Sequence, residues 1–398
     1  MQRINLKKAN VARSDTIRDI NRRIVLNYIR ERAGISRAEI ALETKLQRST
    51  ISLIVEELKT HGLIDESEGE STGGRPPILL KLRSHKPVAI GVDVSITHTI
   101  VGTCDLAGRV LEKVEFATDS NSDITLQRII EGVRHFSERA ERPEGIGISL
   151  PGLVDPETRS ALFIPHFKWR DWLVAEQVEA AVGLPVIVDN DANAIALAEL
   201  WLGRTETREV RDFIAVLVED GIGTGIVFDG LVYHGRAGAA GEFGHMYIGK
   251  NGPITCSAGS NECWEAFASQ RATLARYGKL HPQANGEVSF AQLVENALKG
   301  DKIAIKVLLK TAKYLGRGIS NIIKGLSPEV VIICGEIARA WPLIAQEIRA
   351  NVEADSICRD LEVPRIIASS LGATPRLRGA LSLVLASKFT STITSKVS

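Results

Sequence analysis

Two stretches of this chain repeat one pattern. "VAIGVDVSITHTIVGTCDLAGRVLEKVEF", beginning at Val88, reads as three strands with turns near Ser95 and Gly108. "FIAVLVEDGIGTGIVFDGLVY", residues 213–233, reads as a second strand–turn–strand unit. Helical residues 123–140 and a strand in "GIGISLPGLVD" follow the first unit. Two such units, each leading into helices, predict two α/β lobes with a cleft between them, and such clefts hold small ligands. Gly221-Ile222-Gly223-Thr224-Gly225 in the second unit is expected to form a tight glycine turn. Bare N–H groups in a turn of that kind can converge on a phosphate. Glu219 and Asp220 stand directly before it, and two carboxylates are poor company for a triphosphate.

Residues 1–86 have a different, helical period. "NRRIVLNYIRERAG" places Ile24, Val25, Tyr28 and Ile29 at helical spacing, with Gly34 after them. In "ISRAEIALETKL", Ser36 and Glu39 predict a capping box, with Ile35 and Ile40 in the staple positions. "QRSTISLIVEELKTHG" predicts a third helix with Ile51, Ile54, Val55 and Leu58 buried and Gly62 at its stop. Three short helices joined by short turns read as a helix-turn-helix. Gln47, Arg48, Ser49, Thr50 and Ser52 near the start of the third helix are side chains able to reach base edges and phosphates in a major groove. Arg37 is a further candidate DNA contact. Two strand-like pieces, Leu63–Glu66 and Ile78–Leu82, flank a polar loop ending in Gly73-Gly74-Arg75-Pro76-Pro77. That is a wing, with Gly74 allowing close backbone approach and Arg75 placed for a minor groove. A plain three-helix bundle followed by a linker is the bland alternative.

Charge agrees with this division. Residues 1–86 carry 17 Lys+Arg against 11 Asp+Glu, and the remainder carries 32 against 37, so an anionic partner is expected for the N-terminal part only. The five cysteines are scattered and odd in number, which suits a reducing cytoplasm. The N-terminus has no apolar signal region, and no apolar run approaches the roughly 18 residues of a membrane span.

Three polar clusters in the body could line the cleft: Asn190 and Asp191 after the apolar strand of "VIVDNDANAIALAE", Glu242 and His245 in "GAAGEFGHMYI", and Glu265 in "CSAGSNECWE". Amides, carboxylates and imidazoles together suit a ligand rich in hydroxyl groups. Singly, Asp191 could be a helix cap, Glu242 a surface acid and His245 a satisfied core histidine.

The clusters "TGGRPP", "GVDVSIT", "VDNDANAIALAE", "GIGTGIV", "GAAGEFGH", "CSAGSNECWEAFAS" and "LSPEVVIICG" together resemble the ROK family, in its repressor branch with an N-terminal winged helix. The resemblance covers nearly the whole chain. It implies a winged helix-turn-helix followed by a two-lobed sugar-kinase/actin-like (ribonuclease H-like) α/β body. The expected divisions are 1–86 for the DNA-binding domain, 87–198 for the small lobe, with 375–398 a candidate addition, and 199–374 for the large lobe. It also implies that Asn190, Asp191, Glu242, His245 and Glu265 contact sugar hydroxyls. Asp191 matches the family kinases' general base. His166, in "PHFKW", stands where the family usually has Asn.

Two departures from the family pattern shape the expectation. The first phosphate loop, usually Asp-x-Gly-Gly-Thr, reads Asp93-Val94-Ser95-Ile96-Thr97, and Glu219 stands where the second loop has a glycine followed by a hydroxyl donor at Asp220. One added negative charge at roughly 4 Å costs a phosphate from about 1 to about 4 kcal/mol. No ATP and no kinase activity are therefore expected. The family's structural zinc site takes one His and three Cys. His245, Cys256 and Cys263 match, but Ala258 stands at the middle cysteine position, so zinc is either lost or held with water or a neighbour as fourth ligand.

The expectation is a cytoplasmic, sugar-responsive repressor of carbohydrate-metabolism genes, bound to operator DNA as a homodimer or tetramer, with a sugar or sugar phosphate as effector. An ATP-dependent sugar kinase with an accessory DNA-binding domain is one alternative. A repressor controlled by a transporter-component protein is another.

Overall fold

The N-terminal capping signals are realised in a computed structural model of the chain, which describes residues 14–32, 34–70, 76–139, 143–204, 210–281, 288–354, 363–372 and 374–389. Helix α1 (Ser14–Glu31) leads through the short strand β1 (Ile35–Ser36) into α2 (Arg37–Thr44) and α3 (Arg48–Thr60). The Ser36 hydroxyl accepts the Glu39 N–H, and the Glu39 carboxylate accepts the Ser36 N–H at 2.8 Å, which completes the capping box. Gly62 follows α3 with φ +68°, a left-handed stop. Strands β2 (Ile64–Glu68) and β3 (Ile78–Leu82) pair antiparallel, with β1 on the far side of β3. The tip of the wing, including the candidate residues Gly74 and Arg75, lies outside the described residues.

Ile51, Ile54, Val55 and Leu58 form the buried face of α3 as expected. In α1 the pattern shifts. Val25, Leu26 and Ile29 are buried, whereas Ile24 is 38% exposed. The reason is that α1 is covered from two directions, by α3 and β3 on one side and by the chain's last helix on another.

The first lobe is a five-stranded sheet. Strands β4 (Ala89–Val94), β5 (His98–Cys104) and β6 (Val110–Ala117) are antiparallel, and helix α4 (Ser122–Ser137) follows. Strand β7 (Gly145–Leu150) pairs parallel with β4. A side sheet of β8 (Leu153–Asp155), β9 (Ser160–Ile164) and β10 (Trp169–Trp172) and helix α5 (Val174–Val182) lead to β11 (Val186–Asn190), parallel to β7. Helix α6 (Asp191–Leu202) then runs unbroken through the expected boundary at 198–199. The Gly203 N–H closes its last turn on the Glu199 carbonyl.

The second lobe repeats the plan with β12 (Phe213–Val218), β13 (Ile222–Phe228) and β14 (Leu231–Val232). Helices α7 (Trp264–Ala268), α8 (Gln270–Leu280), α9 (Phe290–Leu298) and α10 (Lys302–Leu326) precede β15 (Val330–Cys334), and α11 (Trp341–Ala354) precedes β16 (Arg365–Ala368). The sheet order is β14-β13-β12-β15-β16. Helix α12 (Pro375–Phe389) returns to the first lobe, packing on α6, β4 and β7.

The glycine turn needs correction. Only Glu219–Gly221 connects β12 to β13; Gly223 and Gly225 lie inside β13. Their role is close packing. A Cβ at Gly225 would fall on the Ala192 carbonyl oxygen, and one at Gly223 would lie 2.9 Å from the Ala192 methyl group. These glycines let the first turn of α6 lie against β13, so they bring the lobes together rather than cradle a phosphate.

The winged helix shares a core with the body. Val25, Leu26, Ile51, Leu58 and Leu80 belong to one buried cluster with Ala89, Cys104, Leu377, Leu381, Leu385 and Phe389. No helix among the described residues is long and apolar enough to cross a membrane.

Candidate functional site

Between the lobes is a cavity of about 510 Å³, and all five expected sugar contacts line it. Each is positioned by its local fold. Asn190 ends β11 and caps α6, its side-chain oxygen accepting the N–H groups of Ala192 (2.9 Å) and Asn193 (3.3 Å). Its amide group donates to the Gly152 carbonyl at 2.9 Å, so the side chain ties the strand end to the β7–β8 turn. Asp191 opens α6. Burial raises its carboxyl above the usual range, against the pull of the Arg376 guanidinium. Glu242 and His245 share one turn, 3.6 Å apart, and burial also raises Glu242. Glu265 is buried in α7 and accepts the Ser257 N–H (2.8 Å), the Ser257 hydroxyl (3.2 Å) and the Arg271 guanidinium (3.0 Å). Trp264 anchors that helix. Its indole N–H donates to the Tyr314 carbonyl at 2.9 Å, and α10 admits the ring because Gly318 has no side chain to strike it. His166 also faces the cavity.

Ile96 of the β4–β5 turn and Glu219 with Asp220 of the β12–β13 turn also line the cavity. The Ser95 N–H and hydroxyl both donate to the His98 carbonyl, at 2.9 and 2.7 Å, and so are held within their own hairpin.

Between these turns stands Arg376, a residue the sequence reading missed. Its Nε donates to Asp93 at 3.0 Å, and its Nη2 donates to the Val94 carbonyl at 2.8 Å. Nη2 is also 3.6 Å from the Asp191 carboxylate. Burial would depress the guanidinium, but Asp93, Asp191 and Glu219 around it hold it charged. Burial pushes Glu219 up to about 7 even though Arg376 pulls it down. A signal was present: Arg376 and Arg378 stand at the start of α12, where a cation opposes the helix dipole and needs anions beside it.

A second missed pair crosses between the lobes. His234, after β14, lies 2.8 Å from Asp189 of β11. Burial alone would lower the imidazole pKa. The hydrogen bond and charge of Asp189 outweigh it and raise the pKa. No local sequence pattern marks this pair, because the partners lie on different sheets.

His245, Cys256 and Cys263 converge, their donor atoms within 4.8 Å of one another. Two sulfurs and an imidazole suit zinc, and three protein ligands leave a fourth position for solvent. Burial and the adjacent Cys256 push the Cys263 thiol up to about 12.

On the winged helix, Gln47, Arg48, Ser49 and Ser52 are exposed together at the start of α3, and Thr50 is half-buried. Arg37 lies elsewhere. It bridges Glu56 at 2.6 Å and Glu66 at 2.7 Å, tying α2 to α3 and β2. At the joint with the body, the Arg30 guanidinium lies over the rings of Trp201 (4.8 Å) and Phe389 (4.6 Å), and the Asn27 amide donates to the Phe389 carbonyl at 3.1 Å.

Residues 89–387 match the model of the ROK family. The chain is 30% identical over 382 residues to the xylose repressor of Bacillus spizizenii, covering 94% of this chain and 97% of that protein. It resembles the crystal structure of a ROK family transcriptional regulator, a homologue of the E. coli MLC protein, with TM-score 0.75, 26% identity and coverage of 94% and 97%. It also resembles a ROK family glucokinase from Streptomyces griseus in complex with glucose and AMPPNP, with TM-score 0.69 and 29% identity over 74% of this chain and 98% of that one.

Proposed function

This chain belongs to the ROK family, and we propose that it is a sugar-responsive transcriptional repressor whose inter-lobe cavity governs its hold on operator DNA. One observation carries the reading. Helix α6 brings Asp191 to the cavity and Trp201 to the joint, and helix α12 brings Arg376 to the cavity and Phe389 to the same joint. At 1.5 Å per residue these two helices span about 15 and about 20 Å. A ligand that shifts the first turn of α6 against β13, and α12 with it, moves the seat of α1. The exposed polar start of α3 docks in a major groove, and Gly74 and Arg75 of the wing approach the adjoining minor groove. Two copies on a two-fold operator would make the spacing of the winged helices the regulated quantity.

Several finer points belong to the same proposal. The protein works in the cytoplasm, where its operator lies. It does not phosphorylate its sugar. What supports this is that Ile96 and Glu219, which stand at the positions of the family's two phosphate loops, line the cavity, and that Arg376 lies 3.6 Å from Asp191, the match to the kinase base. His245, Cys256 and Cys263 hold zinc with solvent as fourth ligand, and the ion braces the segment carrying Glu265.

Fluorescence anisotropy on DNA from the protein's own upstream region tests the reading, at fixed salt, with xylose, glucose and N-acetylglucosamine titrated in. The expected result is that one sugar changes operator affinity tenfold or more, about 1.4 kcal/mol of coupling. Operator binding that no sugar shifts would overturn the sugar reading. Sugar-dependent formation of ADP from ATP would establish the kinase reading in its place.

A further inference from the structure

We infer that Arg376 makes the cavity selective for an uncharged sugar and against its phosphate ester, an inference that rests on the sugar-site reading above. The argument is a census of charge and of free donors. Five carboxylates line the cavity: Asp191, Glu219, Asp220, Glu242 and Glu265. Asp93 stands directly behind, bound to Arg376. Against them are two guanidinium groups, Arg271 and Arg376, and the imidazoles of His166 and His245.

Both guanidinium groups are already paired with carboxylates. Arg271 donates to Glu265 at 3.0 Å and to the Asp220 carbonyl at 2.9 Å. Arg376 donates to Asp93 and to the Val94 carbonyl, and its remaining field falls on Asp191 and Glu219. Three backbone N–H groups beside the cavity are also engaged. The Asn190 side chain caps the N–H groups of Ala192 and Asn193 at the start of α6, and the Ser95 N–H bonds within its hairpin.

A phosphate dianion entering here meets more carboxylates than guanidinium groups among the described residues, and two thiolates offset the charge of a zinc ion held at His245. A neutral sugar meets what it needs, ionised and neutral acceptors for its hydroxyl protons. Arg376 is thus a counter-ion internal to the protein. It keeps a dense cluster of carboxylates compatible with burial, and in doing so is unable to serve as a phosphate anchor.

The test is isothermal titration of the full chain with D-xylose, D-glucose and N-acetyl-D-glucosamine, and with xylose 5-phosphate, glucose 6-phosphate and N-acetylglucosamine 6-phosphate. The expected result is that the sugar that binds does so at least tenfold more tightly than its ester. With the titration run above pH 7, where Glu219 is ionised, Glu219→Gln removes one negative charge with little change of shape and is expected to narrow that ratio severalfold. Arg376→Met is expected to weaken the sugar and leave the ester no better bound. Should that variant fail to fold, Arg376→Lys keeps the charge, loses the fork that serves Asp93 and Val94 together, and is expected to narrow the ratio as Glu219→Gln does. An ester bound as tightly as its parent sugar, or more tightly, overturns the inference about Arg376 and leaves the sugar site standing. So does a ratio unmoved by both Glu219→Gln and the lysine variant. Binding of neither sugars nor esters overturns the sugar-site reading and this inference together.

Discussion

The guanidinium of Arg30, in the first helix of the winged domain, lies 4.8 Å from the ring centre of Trp201, in the last turn of the helix that begins at the cavity with Asp191. The Phe389 ring, stacked 5.8 Å from Trp201, gives the same guanidinium a second face. Cation–π contacts of this kind contribute from about 0.5 to about 2 kcal/mol, enough to carry a tenfold coupling. Arg30→Ala is therefore expected to reduce the effect of sugar on operator affinity from tenfold or more to less than about threefold. Anisotropy titrations with and without sugar measure it. Sugar affinity of the same variant, measured by calorimetry without DNA, is the control that separates lost coupling from lost binding.

Asp191 offers the cavity a half-buried carboxylate, and a hydrogen bond to a charged group is worth about 1.5–3 kcal/mol. Asp191→Asn is expected to raise the sugar concentration needed for half-maximal response by about ten- to a hundredfold. A dose–response curve on operator DNA reads this directly. An unchanged midpoint would remove Asp191 from the sugar site.

Two groups predict how stability varies with pH. The His234 imidazole has a raised pKa in the folded chain, so its contribution is present below the ordinary value and is lost as pH rises through the raised one. Glu219, pushed from 4.5 to about 7, holds a proton that the unfolded chain releases, so stability also falls with rising pH across that window. Both effects have the same sign. The melting temperature is expected to fall between pH 6 and pH 8. His234→Gln should flatten the upper part of the profile in a calorimetric series. A melting temperature that rises across this range in the wild type would contradict the Asp189–His234 pairing.

Three ligands hold zinc less firmly than four. Chelator is expected to strip the metal bound by His245, Cys256 and Cys263, with loss of sugar response as the segment carrying Glu265 loosens. Ala258→Cys supplies the family's missing ligand and is expected to make the zinc resistant to the same chelator. Metal analysis of both proteins after dialysis checks this. Protein that carries no zinc before chelation would leave Glu265 to the support of Trp264, Ser257 and Arg271.

Much of the architecture was legible residue by residue. The capping box at Ser36 and Glu39 and the stripe from Ile51 to Leu58 are local devices, and both formed as their spacing predicts. The two hairpin units announced two sheets, and Asn190, Asp191, Glu242, His245 and Glu265 do share one cavity. What misled was the glycine run. Glycine in a sequence marks a need for space but not the neighbour that requires it, and here the neighbour is Ala192 of α6 rather than a phosphate. The exposed Ile24 arose in the same way, because a helix covered on two sides cannot be assigned a single stripe.

By itself, then, the sequence determined the winged helix, the two α/β lobes and the polar residues that meet between them. Periodicity, caps and turns act over a few residues, and a family's motifs persist in the chain as written. Only the tertiary structure decided that Arg376 neutralises Asp93 and Asp191, that His234 reaches Asp189, and that α6 and α12 join the cavity to Arg30. The partners of Arg376 lie 283 and 185 residues away in the chain. Their pairing follows from burial: a charge excluded from water must find its counter-ion wherever the packed fold has placed one.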